Sequence, residues 1–272
     1  MKIFSTSASL VSYLDTLKKP GKSIGFVPTM GALHEGHLAL IKQSKAENDF
    51  TLASIYVNPL QFNNISDFAN YPKMPEQDRA LLEQTGCDIL YLPTKEELFL
   101  SSSIRTFDLG IYDQIMEGKY RPGHFQGMAN VVFRFFQIIQ PTRAYFGYKD
   151  YQQFLIIKNC IAPFFDGLGI RGIQTLRLPS GLAMSSRNLR LTAKQTDKAS
   201  HIYGLLQTVI RQLGKTPLEV LQQTVETAFL QWDELRLEYL IFAHKDTLDT
   251  WKGNDDPTHY RVFIAFYAGE IR

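Results

Sequence analysis

Short apolar runs bounded by turn residues alternate with longer segments of mixed apolar and polar positions through residues 23–160. The runs 23–28, 52–57, 88–93, 105–109 and 144–147 are rich in aliphatic, aromatic or β-branched residues and read as strands. The stretches 36–48, 76–85, 128–139 and 150–160 are long enough for crossover helices, so the alternation predicts βαβ units and a doubly wound parallel sheet. Near residue 171 the texture changes to a strand-like 172–176, a Ser- and Arg-rich turn, and helical patterns over 192–213 and 217–230. Two strands over 236–242 and 261–267 close the chain, separated by the polar turn Gly253-Asn254-Asp255-Asp256-Pro257. The predicted class is α/β: a Rossmann-like, doubly wound parallel sheet in residues 1–174, followed by a smaller α+β domain in residues 175–272.

Composition narrows the functions such a fold can carry. The 272 residues include 29 Lys and Arg against 27 Asp and Glu, a formal charge of +2, which provides no field for wrapping a polyanion. No nucleic-acid partner is therefore expected. Cys87 and Cys160 are far apart and lack the neighbours of a zinc site or disulfide framework, so they read as free thiols. No apolar run reaches the ~18 residues of a spanning helix. Met1-Lys2-Ile3-Phe4-Ser5 has no secretory apolar core, so neither membrane contact nor export is expected and the reading is cytoplasmic.

An open parallel sheet binds ligands beyond the carboxyl ends of its strands, so the loops after each strand are where chemistry belongs. The first strand runs into Met30-Gly31-Ala32-Leu33-His34-Glu35-Gly36-His37 at the start of an amphipathic helix. Free N–H groups and the positive end of the dipole suit a polyphosphate there; two imidazoles add donors, and Gly31 and Gly36 allow close approach. The His-x-x-His spacing departs from the zincin pattern and has no third ligand nearby, which argues against a metal pair. Neither a P-loop nor Gly-x-Gly-x-x-Gly follows a strand. After the second strand, Asn58 and Gln61 offer neutral hydrogen-bonding groups to a small polar substrate, or simply form a turn. After the fifth, Gly147-Tyr148-Lys149-Asp150 places a cation and a carboxylate at another helix start, with Gln153 one turn in; Asp150 reads equally as a cap or a ligand. Met184-Ser185-Ser186-Arg187-Asn188 sets hydroxyls beside a guanidinium, suited to phosphoryl oxygens or to a solvated loop. The turn Arg121-Pro122-Gly123-His124-Phe125 is similarly ambiguous.

Together these stretches resemble the pantoate–β-alanine ligase family of the nucleotidyltransferase superfamily. Val27 to His37 resembles that superfamily's His-Ile-Gly-His signature, and Met184 to Asn188 its Lys-Met-Ser-Lys-Ser loop. Val57-Asn58-Pro59-Leu60-Gln61-Phe62, Tyr71-Pro72, Arg121 to Phe125 and Phe146 to Asp150 with Gln152-Gln153 fall between them in the family's order. The resemblance implies condensation of pantoate with β-alanine through a pantoyl adenylate. ATP is then a substrate, and Mg²⁺ rides mainly on its phosphates with few protein ligands. It also implies roles for particular residues. His34, His37, Lys149, Ser185, Ser186 and Arg187 would hold phosphates, with His37 as an acid. Met30 to Gly36, Gly147, Tyr148, Asp150, Leu176 and Met184 would line the nucleotide. Met30, Gln61 and Gln153 would hold pantoate, Gln61 would border β-alanine, and a homodimer would form through the N-terminal domain. The competing readings are another nucleotidyltransferase of the superfamily and a non-catalytic nucleotide sensor. The neutral Gln61 and Gln153 argue against a phosphorylated acceptor.

Four places depart from the family's pattern. Tyr148 stands where Glu is usual, Lys73 and Gln126 where Arg is common, and Arg177-Leu178-Pro179-Ser180-Gly181 lacks the usual acidic residues.

Overall fold

The structure is a computed structural model that describes residues 1–99, 104–253 and 255–272. These residues divide into two compact units, Met1–Leu176 and Arg177–Arg272. In the first unit the strands are β1 (Lys2–Phe4), β2 (Ile24–Thr29), β3 (Phe50–Ile55), β4 (Ile89–Tyr91), β5 (Arg143–Gly147) and β6 (Gly169–Ile173). They form one sheet in the order β1-β4-β3-β2-β5-β6, and every pairing is parallel. The helices of this unit are α1 (Ser7–Leu17), α2 (Glu35–Glu47), α3 (Ile65–Ala69), α4 (Pro75–Gln84), α5 (Lys95–Phe99), α6 (Met116–Tyr120), α7 (His124–Ile139) and α8 (Tyr151–Ile156). The expected doubly wound sheet is thus present. Its central strands are apolar almost throughout, because helices cover both faces. Phe26 packs edge-on against Phe135 and Phe136 of α7. Val27 and Ala53 join Leu40, Ile41 and Leu82 on the α2 and α4 side.

Several elements differ from expectation. Residues 105–109 are not the expected strand, although Phe107 and Leu109 are buried and alternate with exposed neighbours. Their backbone partners are side-chain amides of α7: Asn130 accepts from the Arg105 N–H and donates to its carbonyl, both at 2.8 Å. Gln126 does the same for Phe107, at 3.0 and 2.8 Å. Two amides one turn apart on a helix thus stand in for a neighbouring strand. The last parallel strand is Gly169–Ile173, upstream of 172–176, because register with β5 pairs Gly169 with Arg143 and Ile173 with Gly147. Neither β1 nor α1 is anticipated: β1 is too short to show a period, and α1 buries only Leu10 and Leu14 fully. Helix α8 continues into a π-helical turn, Ile157–Ile161.

The second unit contains α9 (Ala193–Gln212), α10 (Leu218–Leu230) and an antiparallel pair, β7 (Leu235–His244) with β8 (Tyr260–Ala268). Thr192 and Gln195 form a reciprocal capping box that starts α9. Ile202, Val209, Leu221, Val225, Phe229 and Phe242 belong to its core. Within the turn expected between these strands, Asn254 lies outside the described residues. No helix among the described residues is long and apolar enough to cross a membrane.

Candidate active site

The chain leaves β2 for β3 on one side of the sheet and later returns to place β5 on the other. The carboxyl ends of β2 and β5 therefore flank the switch point at which such sheets bind ligands. The loop after β2 is fixed by hydrogen bonds within itself and by bonds to Ser54 of β3 and Asp78 of α4. The Thr29 hydroxyl donates to the Ser54 carbonyl at 2.8 Å and accepts from the Gly31 N–H at 3.3 Å. Gly31 and Ala32 both adopt left-handed backbone, with φ of 80° and 48°. The N–H groups of Ala32 and Leu33 donate to the two carboxylate oxygens of Asp78, at 2.9 and 2.7 Å.

The two histidines complete this arrangement with a capping box. His34 Nδ1 accepts from the Gly36 N–H at 3.1 Å, and His37 Nδ1 accepts from the His34 N–H at 3.3 Å. The His37 N–H is bonded to the His34 carbonyl. The expectation of free backbone donors at this helix start is therefore corrected: the amides of residues 31–34, 36 and 37 all have intramolecular partners. The donors left to a ligand are the Glu35 N–H, which has no partner among the described residues, and the imidazoles. Because each Nδ1 is an acceptor, the proton of each neutral ring resides on Nε2. The rings are 4.1 Å apart, tilted by 36°. Burial, and then the Lys149 charge, lowers the His34 pKa to about 4. Burial lowers that of His37 to about 3, with His34 and Lys149 acting in the same direction and Asp150 against them. At neutral pH the pair presents two uncharged Nε2–H donors.

The loop after β5 is built differently. Tyr148–Asp150 forms a single 3-10 turn, and Asp150 makes no side-chain cap to α8, so the capping alternative for that residue is set aside. Lys149 and Asp150 are 3.4 Å apart, with side chains 38% and 61% exposed. Gln153 is partly exposed one turn into α8. The Tyr148 ring lies over Gly172 of β6, in the space a Cβ there would need, and packs at a tilt against Tyr151 and edge-on against Phe154. Leu176 is the exposed last residue of this unit.

Beside the first loop, Gln61 is held at both ends of its side chain. Its Oε1 accepts from Asn58 Nδ2 at 3.1 Å, and its Nε2 donates to Met30 Sδ at 2.9 Å. Asn58 is 1% exposed and also donates to the Gly127 carbonyl. The Gln61 carbonyl accepts from Arg121 Nη2 at 3.2 Å and from His124 Nδ1 at 2.7 Å. A carbonyl only accepts, so His124 carries its proton on Nδ1, the opposite tautomer to the pair. Burial is the main cause holding the His124 pKa down to about 4. Gln152 is buried and donates to the Tyr112 and Ile115 carbonyls while accepting from the Glu117 N–H.

The sequence reading missed Asp78 and Gln152. Asp78 lies on an otherwise ordinary amphipathic helix, and its partners are 45 and 46 positions away. Gln152 stood in a recognised stretch, but its contacts to the 112–117 segment have no local signature.

In the second unit, Ser185 caps the short turn Ser186–Arg190, its hydroxyl accepting from the Arg187 N–H at 3.3 Å. Ser186 is buried, and Met184 and Arg187 are partly exposed. Asn188 donates to the Ala183 carbonyl. Among the described residues no three His, Cys, Asp or Glu side chains are grouped as around a metal ion.

Comparison with known proteins agrees across the whole chain. Residues 2–272 match the family model described as pantoate-beta-alanine ligase. A pantothenate synthetase of Cytophaga hutchinsonii is 44% identical over 257 residues, spanning 94% of this chain and 91% of that protein. One of Phocaeicola vulgatus is 41% identical over 273 residues, spanning 100% and 97%. Pantothenate synthetase from Thermus thermophilus has a TM-score of 0.85 at 36% identity, covering 98% of this chain and 99% of that one. Pantoate-beta-alanine ligase from Francisella tularensis, complexed with beta-gamma ATP and beta-alanine, has a TM-score of 0.82 at 36% identity, covering 100% and 95%. Matched from end to end in sequence and in fold, this chain belongs to the pantoate–β-alanine ligase family.

Proposed function

We propose that the chain condenses pantoate with β-alanine in two steps at the carboxyl ends of β2 and β5. In the first, a pantoate carboxylate oxygen attacks the α-phosphorus of ATP, and the bond to the β-phosphate oxygen breaks to release diphosphate. In the second, the β-alanine amine attacks the acyl carbon of pantoyl adenylate; the acyl–oxygen bond breaks, AMP leaves and the amine loses a proton. Neither step needs a protein nucleophile. Both need negative charge to be stabilised as it moves between oxygens, and preorganised donors supply that stabilisation without reorganising.

One observation carries this reading: two neutral imidazoles, each wired through Nδ1, offer adjacent Nε2–H donors next to Lys149. In this arrangement His37 acts as a hydrogen-bond donor to phosphate oxygen, not as an imidazolium acid. Lys149 adds the full positive charge. Gly147, Tyr148, Asp150 and Leu176 line the nucleoside. Gln61, aimed by Asn58, and Gln153 bind pantoate alongside Met30, and Gln61 borders β-alanine. Ser185, Ser186, Arg187 and Met184 of the second unit contribute to nucleotide binding as the resemblance implies. Mg²⁺ arrives on the ATP phosphates as part of the substrate. The enzyme works in the cytoplasm as a homodimer formed through its N-terminal unit, which sedimentation would test.

The deciding experiment measures diphosphate release from Mg-ATP and pantoate, with and without β-alanine, and identifies products by mass spectrometry. Stoichiometric diphosphate without β-alanine, then multiple turnovers yielding AMP and pantothenate when it is added, is the expected result. No reaction with pantoate despite measurable ATP binding would refute the assignment.

A further inference from the structure

Asp78 lies outside every stretch assigned to substrate, yet it is 2% exposed and both its oxygens point at the loop that carries the histidine pair. It sits in the first turn of α4, which begins at Pro75, and its N–H closes that turn on the Met74 carbonyl. The packing around it is tight: a methyl group on Gly31 would come within 3.0 Å of Asp78 Oδ2 and 3.1 Å of Ile55 Cγ2. The residues it holds have unusual backbone. Ala32, with φ of 48°, is in a left-handed conformation that a residue with a Cβ adopts only when something compensates. Two charge-assisted hydrogen bonds to successive amides are such a compensation. The next residue is His34.

Helix docking alone does not explain a carboxylate here. Leu82, one turn further along α4, is fully buried and supplies the apolar anchor. Burying a carboxylate carries a desolvation cost that an apolar side chain would not. Burial pushes the Asp78 carboxyl up from its ordinary range, while the bonds from Leu33 and Ala32 pull it back.

We propose that Asp78 is a positioning residue of the ligation: it fixes the Ala32–Leu33 amides so that His34 and His37 present their Nε2–H donors together. The inference rests on the phosphate-binding role of that pair. Misplacement of about 1 Å at a reacting centre can cost on the order of 100-fold in rate. Asp78→Asn replaces one of the two acceptors with a donor facing an N–H. It is expected to lower kcat for diphosphate release by ~100-fold with KM for ATP and pantoate within ~3-fold.

Two readouts separate positioning from loss of fold. In a His37→Ala background the Asp78→Asn change should cost less than ~3-fold, because the joint presentation of the two donors, which is what Asp78 supports, is already lost. Independently of turnover, ¹⁵N spectra of the histidine rings should show the Nε2–H tautomer of His34 and His37 in the parent and a tautomer mixture in Asp78→Asn. That spectral change tests the positioning even if the parent proves inactive with pantoate, so failure of the ligase reading is distinguishable from failure of this one. An Asp78→Asn enzyme with kcat within ~3-fold of the parent, additive losses with His37→Ala, or unchanged imidazole resonances would each overturn the proposal. Should Asp78→Asn not fold, Asp78→Glu keeps both acceptors one methylene further out. It is expected to fold, to lose ~10-fold in kcat, and to show the same non-additivity; additive losses in that pair would also overturn the proposal.

Discussion

The loops that follow β2 and β5 both lead into helices, yet they solve the same electrostatic problem in opposite ways. After β2, six backbone amides and both imidazole Nδ1 atoms are committed to hydrogen bonds within the protein, and the imidazole donors that remain are uncharged. After β5, one 3-10 turn carries an exposed cation beside an exposed carboxylate, with no side-chain cap on the helix that follows. The first loop stores its order in the fold. The second carries charge on a side chain free enough to follow a phosphate. The comparison teaches that rate and stability are separable in one loop and joined in the other.

Truncation separates the two loops most forcefully. Lys149→Ala and His37→Ala should each reduce adenylate formation by at least ~100-fold, the usual consequence of removing a preorganised donor to developing charge. They should part company in stability. His37→Ala removes half of a capping box and is expected to cost about 1 kcal/mol in urea unfolding. Lys149→Ala, which removes a partly exposed cation, should leave the unfolding midpoint nearly unchanged. Equal stability losses in the two variants would erase the distinction.

Protonation is a gentler probe of the same difference. His34 and His37 have folded pKa values of about 4 and about 3 against an ordinary 6.5. Above pH 6.5 neither folded nor unfolded chain binds these protons, and the full stability of the neutral pair is present. Between 6.5 and the folded values the unfolded chain binds more protons, so stability falls as pH falls. Urea unfolding of the parent should weaken over that window, and His37→Gln should flatten part of the slope. Turnover should show no acid limb from this pair between pH 6 and 8. A rate that drops as a histidine of pKa near 6.5 titrates would mean that the rings are not held as neutral donors.

What the sequence reveals and conceals follows the range of each interaction. The histidine pair and the helix it starts are visible because the signal is contiguous, from Met30 to His37. The fate of the backbone amides is not, because it depends on the imidazoles folding back and on Asp78 arriving from α4. The alternation over 105–109 is real, since Phe107 and Leu109 are buried. It misleads because a strand needs a neighbour, and Gln126 and Asn130 satisfy that backbone from a helix instead. β6 is hidden by the glycines of Gly169-Ile170-Arg171-Gly172-Ile173, which weaken the β signal where Tyr148 requires an absent side chain. Tyr148 and Gln126, both noted as departures from the family's pattern, thus acquire packing roles that could not be read from the chain alone.

The smallest expected effect concerns that tyrosine, and it tests whether the β5 loop is as loosely built as the comparison claims. A Cβ at Gly172 would overlap the Tyr148 ring and come 2.7 Å from its hydroxyl oxygen. Gly172→Ala must therefore displace the ring, at a cost of about 1–3 kcal/mol for an overpacked site. Tyr148→Glu, which places the family's usual residue here, gives up the contacts with Tyr151 and Phe154, worth about 1 kcal/mol. In the double variant no ring remains to be displaced, so the combined loss should fall short of the sum by about 1–3 kcal/mol in a thermal-unfolding cycle. At saturating ATP, turnover should stay within ~3-fold in all three, because the family's usual Glu at 148 lines the nucleoside in the place of Tyr148 and Lys149 reaches its phosphate through its own flexible stem. Additive stability losses would show that Tyr148 and Gly172 are not packed as a pair. A rate loss near that of Lys149→Ala would show that the ring, like the histidine pair, is part of a preorganised device.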